Sequence, residues 1–265
     1  MKCLYVDLDG TLLGPGASLL SDADGAFSLD AVRALQACDR AGVEVVIYSG
    51  RRQSSVFEAA RLIGSSAYIF EIGCGLVLDG ELEWLTDGLE PRDGATIFDQ
   101  IAATGVPALL LERYGGRLEY HTPWHLGREV SHLFRGQVDT TEVNELVREH
   151  GLRLIDNGVI HDQVGDVSSV HVYHLIPAGA SKARGVARHM QARGYERAEC
   201  IAVGDSREDL EAADVVDTFW LVANALERDP GMREEIGGRP GVRLAEAAYG
   251  TGVYEAVITT LAERR

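Results

Sequence analysis

The chain has 265 residues, 46% hydrophobic and 25% charged, with a formal net charge of −16. That is an ordinary globular balance, enough for one large domain or a core with a smaller second one. The acidic surface disfavours nucleic acid and anionic membranes as partners, and an anion site on it needs local positive charge and a metal.

The opening apolar run is too short for a signal peptide and no stretch approaches a membrane span, so a cytoplasmic protein, monomer or homodimer, is expected. CLYVDLD (3–9) reads as a buried strand. GPGASLLSDADGAF (14–27) is a long loop, either a plain surface loop or a substrate-gating flap. Residues 29–41 read as a helix with Ser28 as N-cap and Gly42 past its end. VEVVIYS (43–49) is a second buried strand, 53–63 a helix stopped by Gly64, and AYIF (67–70) a third strand. Short apolar runs separated by helices indicate a parallel sheet covered on both faces.

From about 80 to 175 the pattern changes. LVLDGELEWL reads as a hairpin turning at Asp79-Gly80, followed by a polar helix near 139–150 and strands near 152–155 and 169–176. The first rhythm then returns. Residues 181–193 form a helix with Ser181 as N-cap and Gly194 as stop, CIAVGD (200–205) a strand, and 207–213 a helix. FWLVAN (219–224) is a further strand and 252–263 an amphipathic helix. The fold expected is α/β: a Rossmann-like parallel-sheet core of residues 1–80 and 176–265, with an inserted α+β domain at 81–175. The cysteines Cys3, Cys38, Cys74 and Cys200 fit neither a zinc spacing nor CxxC, and Cys3 and Cys200 read as buried reduced thiols.

Four pieces fall at or beyond the C-terminal ends of the parallel strands, where open α/β sheets place ligands. The first is DLDGT (7–11): alternation puts Asp7 and Asp9 on one side and Leu8 in the core. Two such carboxylates repel unless a cation lies between them, and magnesium takes oxygen ligands. Gly10 permits a sharp turn and the Thr11 hydroxyl can tie it down. SGR (49–51) offers a hydroxyl and free amides for an anion, although a serine there is more often an N-cap. Lys182 opposes a helix dipole at the start of its helix, which is sensible if an anion is present; alone it reads as a solvated lysine. In GDSRED (204–209), Asp205 lies at a strand end and Asp209 one turn later, which is equally a helix start enriched in acids.

In this order the four pieces resemble the motifs of the haloacid dehalogenase superfamily. The long interval between Ser49 and Lys182 resembles the type 2 cap of the Cof-type and sugar-phosphate phosphatases, including sucrose-phosphate, trehalose-phosphate and mannosylphosphoglycerate phosphatases. FWLVANA (219–225) resembles their loop carrying an asparagine, here Asn224. The resemblance implies a Mg2+-dependent phosphatase of a small phosphorylated metabolite, a sugar phosphate or glycosyl-phosphoglycerate. It implies that Asp7, the Asp9 carbonyl and Asp205 hold the metal with Asp209 in support. Asp7 would be the nucleophile that becomes phosphorylated and Asp9 the general acid and base. Lys182, Ser49 and the amides around Gly10 and Gly50 would hold phosphoryl oxygens, supported by Arg51 and Asn224.

Two departures stand out. Relatives often carry Asn-Gly after the third strand, whereas here Ile72 takes the place of the asparagine. Relatives often carry GDxxND, whereas Glu208 here adds a charge that could pair with Lys182. For substrate choice, Arg113, Tyr114, His121, Trp124, His125 and Arg128 are candidate contacts, while His171 and His174 read as structural. A phosphomutase of the same fold and a non-catalytic phosphosugar-binding module are the rival readings.

Overall fold

The structure is a computed structural model describing residues 1–159 and 170–264. Among the described residues the strands form two sheets. The larger contains β1 (Cys3–Val6), β2 (Glu44–Tyr48), β3 (Ala67–Phe70), β4 (Gly75–Leu78) and β5 (Glu81–Trp84), and later β10 (Cys200–Gly204), β11 (Thr218–Leu221) and β12 (Val242–Leu244). Its order is β12-β11-β10-β1-β2-β3-β4-β5, parallel from β12 to β3 and antiparallel in the last two pairs.

Side-chain alternation sorts its core. Leu4 and Val6 join one apolar cluster while Cys3 and Tyr5 join the other. The first cluster is covered by α1 (Asp30–Arg40), α2 (Gln53–Ile63) and α10 (Tyr249–Glu263). The second is covered by α6 (Lys182–Arg193) and the short α7 (Arg207–Leu210). With both faces buried, central strands such as CLYV are apolar throughout. The chain runs β1, β2, β3 in one direction and β10, β11, β12 in the other, so the strand order reverses between β1 and β10. Asp7 and Asp205 leave the sheet at that reversal, where doubly wound sheets open a crevice.

The second sheet is antiparallel, in the order β6-β7-β9-β8, from β6 (Leu118–Tyr120), β7 (His132–Gly136), β8 (Leu152–Val159) and β9 (His171–Pro177). It packs with α3 (Ile97–Ala103), α4 (Val106–Arg113) and α5 (Thr140–Val147) around a third apolar cluster. Ser169, where the last strand of this module was expected to begin, lies outside the described residues. The remaining helices, α8 (Asn224–Arg228) and α9 (Met232–Ile236), lie between β11 and β12. No described helix is long and apolar enough to cross a membrane.

Several local expectations change. Glu81–Trp84, grouped above with the inserted module, is the edge strand of the large sheet. Trp84 packs edge-on to Phe70 at 5.8 Å, and that contact holds the hairpin to β3. Ser28 is not the N-cap of α1; Leu29 is, and the Ser28 hydroxyl accepts the Asp30 N–H at 3.2 Å. The helix expected over 207–213 is a four-residue α7 running into a 3-10 turn. The strand expected over 219–224 ends at Leu221, and Asn224 starts α8. The loop over 14–27 contains a 3-10 turn at Pro15–Ala17 and two isolated bridges.

The turn after β3 joins the two parts. Glu71 and Ile72 both hold positive φ, at 47° and 57°. That strain is balanced by what their side chains do. The fully buried Glu71 carboxylate accepts the N–H groups of Glu129, Val130 and Ser131 at 2.8, 3.2 and 2.6 Å. Ile72 lies in the apolar cluster of the small sheet. At this turn Ile72 is a packing anchor.

Candidate active site

Asp7 follows β1, buried, with its Oδ1 accepting from Lys182 Nζ at 2.8 Å. The same ammonium donates to Asp209 Oδ1 at 2.7 Å. Lys182 is the first residue of α6, whose cap is Ser181: its hydroxyl accepts the Arg184 N–H at 3.0 Å. The helix therefore aims Lys182 inward, and it is 2% exposed. Burial alone would lower its pKa, but Asp209 and Asp7 outweigh that and raise it. Burial pushes the Asp7 carboxyl up, Lys182 pulls it down, and Asp209 and Asp205 push it up again.

Asp205 leaves β10 beside Asp7. Its Oδ1 accepts from Thr11 Oγ1 at 3.0 Å and its Oδ2 accepts from Arg228. Burial raises its carboxyl to about 6 against the pull of Arg228. Asp209 is fully buried, and its Oδ2 accepts the Asp205 N–H at 3.1 Å, the Ser206 N–H at 3.1 Å and the Ser206 hydroxyl at 2.7 Å. Gly10 is required between these groups. At φ +89° an added Cβ would lie 2.2 Å from Asp205 Oδ2.

Oxygen atoms of Asp7, Asp205 and Asp209 lie within 4.8 Å of one another. All three are hard donors, and burial raises two of them, so a small divalent cation suits the cluster. Asp209 has its lone pairs engaged by Lys182 and three donors, which makes it a support for the others. The Asp9 carboxylate points away, accepting from Arg51 Nε at 2.6 Å and Nη2 at 2.5 Å.

These groups floor a cavity of about 710 Å3 between the two sheets. Asp7, Asp9, Ser49, Gly50, Arg51, Lys182, Asp205 and Arg228 line it on the large-sheet side. Ser49 does not cap α2, which begins after Arg52; its Oγ accepts the Arg51 N–H at 3.3 Å. Asn224 is not at the cavity. Its Nδ2 donates to Gly10 O at 2.8 Å and its Oδ1 accepts the Tyr249 N–H at 2.9 Å, so it ties the turn after β1 to α10. Glu208 makes no pair with Lys182. Its Oε2 has no hydrogen-bond partner, and burial raises its carboxyl to about 8.

The roof comes from the small sheet. Of the six candidate contacts, His121, Trp124 and Arg128 line the cavity. Arg113 instead pairs with Glu142 at 2.9 Å, Tyr114 lies in the apolar core, and His125 stacks on Tyr120. Arg128 donates to Gly50 O at 3.1 Å and Ser131 Oγ at 2.7 Å, latching the roof to the SGR loop. His174 lines the cavity, and burial holds its pKa well below the usual value, with Arg128 and Lys182 adding to it. His171 pairs with Asp156 at 2.8 Å. Arg228 and Glu71 were not read from the sequence. Arg228 has a local signal, since it follows Asn224 by four residues on one short helix.

Residues 152–228 match the family model of haloacid dehalogenase-like hydrolases. The chain is 25% identical to a phosphoglycolate phosphatase of Methanoculleus marisnigri, covering 97% of this chain and 95% of the relative. It is 28% identical to one of Pyrobaculum neutrophilum, covering 93% of each. In fold it is similar to the sucrose-phosphatase of Synechocystis, with a TM-score of 0.65 and 15% identity over 97% of both chains. It is also similar to a haloacid dehalogenase-like hydrolase of B. subtilis, with a TM-score of 0.61 and 18% identity over 97% of this chain and 99% of that one. The chain is thus similar to haloacid dehalogenase-like hydrolases over residues 152–228 and, along nearly its whole length, to curated phosphatases.

Proposed function

We propose that the chain hydrolyses a small phosphomonoester with Mg2+ through an aspartyl-phosphate on Asp7. The observation that carries this reading is the buried Lys182 ammonium bridging Asp7 and Asp209 at 2.8 and 2.7 Å beside Asp205. Asp7, the Asp9 carbonyl and Asp205 would hold the ion, which neutralises charge on the phosphoryl group when bound. Asp7 Oδ attacks phosphorus, a P–O(Asp7) bond forms and the ester P–O bond breaks. Asp9 gives its proton to the leaving alcohol, then takes one from the water that cleaves the acyl phosphate. For this the Asp9–Arg51 pair opens, and Arg51 is released toward the phosphoryl oxygens. Ser49, Gly50 and Lys182 line the cavity where those oxygens arrive.

For the substrate, the curated relatives that match over nearly the whole chain favour phosphoglycolate. A second reading, a sugar phosphate, is favoured by the cavity of about 710 Å3 and by Trp124, 62% exposed on its wall. Turnover of phosphoglycolate and of sugar phosphates, each with Mg2+ and with chelator, separates the two readings. Acid quenching of wild type with labelled substrate should trap protein-bound phosphate, and Asp7→Asn should trap none and lose turnover. Full turnover by Asp7→Asn sinks the scheme, and phosphoryl transfer to a second hydroxyl without free phosphate selects the mutase.

A further inference from the structure

A second constellation lies at the other end of the same strands. Cys3 opens β1, and its register partners are Glu44 on β2 and Cys200 on β10. In-register residues of a parallel sheet point to one face. Here that face is covered by α6, which contributes His189. Cys3, Cys200 and His189 are fully buried. One ligand atom from each of Cys3, Glu44 and His189 lies within 4.8 Å of the others.

The histidine is set up as a donor. Its Nδ1 lies 2.8 Å from the Tyr5 hydroxyl. If that oxygen accepts the Nδ1 proton, Nε2 keeps its lone pair. Nε2 is buried with no hydrogen-bond partner, and Glu44 Oε1, 3.6 Å away, forms an ion pair with it only when the imidazole is protonated. Glu44 is held from outside by Arg193 Nη2 at 2.9 Å and the Tyr195 hydroxyl at 2.9 Å. Such shells orient ligands in metal sites. The mechanism above uses none of these residues.

We propose that Cys3, Glu44 and His189 form a second metal site for a thiophilic divalent ion, zinc foremost. The mixed sulfur, nitrogen and oxygen set suits a tetrahedral d10 ion better than magnesium. Metal–ligand bonds of about 2.0–2.3 Å require the donors to close by roughly 1 Å, within reach of side-chain rotation. On binding, the Cys3 thiol gives its proton to solvent and its sulfur becomes a ligand. The site ties the first residues of two strands to α6, the helix that begins with Lys182.

Cobalt reports such a site apart from catalysis, because a thiolate ligand gives a charge-transfer band that a carboxylate site lacks. Metal-free full-length protein titrated with Co2+ should show this band, saturating at one equivalent and bleached by Zn2+. Asp205→Asn should keep the band, while Cys3→Ser and His189→Gln should lose it and keep Mg2+-dependent turnover, which shows that they fold. Tyr5→Phe should weaken Co2+ binding by roughly 10–100-fold through the lost partner of Nδ1. Folded wild-type protein without the band overturns the proposal. So does an equal band in Cys3→Ser and His189→Gln.

Discussion

Replacing Lys182 by methionine keeps most of the side-chain volume and removes the ammonium. That charge contacts Asp7 at 2.8 Å and Asp209 at 2.7 Å, with Lys182 2% exposed. At an effective dielectric of about 20, each contact is worth about 6 kcal/mol of gross Coulomb energy. Desolvation cancels much of this, and losing one partner of a buried pair costs about 3–5 kcal/mol. In the variant, Asp7, Asp205 and Asp209 keep, among the described residues, only Arg228 as a direct cationic partner. A divalent cation should then substitute for the missing charge. Urea unfolding in chelator should show the variant about 3–5 kcal/mol less stable than wild type. Excess Mg2+ should stabilise the variant more than it stabilises wild type. Turnover with Mg2+ should fall by on the order of 10²–10³, the loss seen when one donor to a developing charge is removed. The reasoning is refuted if the variant lies within about 1 kcal/mol of wild type in chelator, or if Mg2+ stabilises both equally.

His132 gives a pH signature remote from the carboxylates. It is buried and stacked on Phe98 at 3.7 Å, and burial lowers its pKa from 6.5 to about 4. The unfolded chain takes its proton first, so the stability from neutral His132 is complete above pH 6.5 and is lost as pH falls to about 4, then stays level. Wild type should lose about 3 kcal/mol more than His132→Gln across that window in pH-dependent unfolding, and parallel curves would contradict the assignment. Gly73 tests the joint between the two parts. At φ +82° an added Cβ would lie 1.9 Å from Ser181 O, next to Lys182. Gly73→Ala should cost about 2–4 kcal/mol and lower turnover, whereas Gly80→Ala, at φ +90° in open space, should cost about 1 kcal/mol and leave turnover unchanged.

Local signals carried part of this architecture. Residues 53–63 are helical as the pattern suggested, because Gly64 takes the left-handed cap at φ 73°. The Asp79-Gly80 turn likewise follows from two residues that tolerate positive φ. What the pattern could not tell was which sheet the hairpin extends, since that depends on Phe70 meeting Trp84. α3, α4, β6 and β7 went unread because each is short, with too few turns or alternations to show a period. Asp7, Ser49, Lys182 and Asp205 come together because each follows a strand or opens a helix at one edge of a single sheet. Glu71 escaped notice because its partners are 58 to 60 residues away, and a lone buried glutamate has no sequence signature. Glu208 was read as a partner for Lys182, but Asp7 and Asp209 already occupy that ammonium.

Arg228 bears on how the site changes state. Both oxygens of Asp205 are engaged, Oδ1 by Thr11 and Oδ2 by Arg228. A cation that takes Asp205 as a ligand must compete for Oδ2, so the guanidinium and the metal exclude each other there. Arg228 is the partner able to move, because its side chain is 30% exposed whereas that of Asp205 is 2% exposed. Released, it remains on the cavity wall, where a phosphorylated substrate brings negative charge. Removing it should act in opposite directions on the two ligands. Arg228→Ala should bind Mn2+ about tenfold more tightly by calorimetry, equivalent to about 1.4 kcal/mol of removed competition. The same variant should show a higher KM, because substrate loses a cation. Weaker Mn2+ binding would mean that Arg228 orients Asp205 for the metal, and the competition argument would fail.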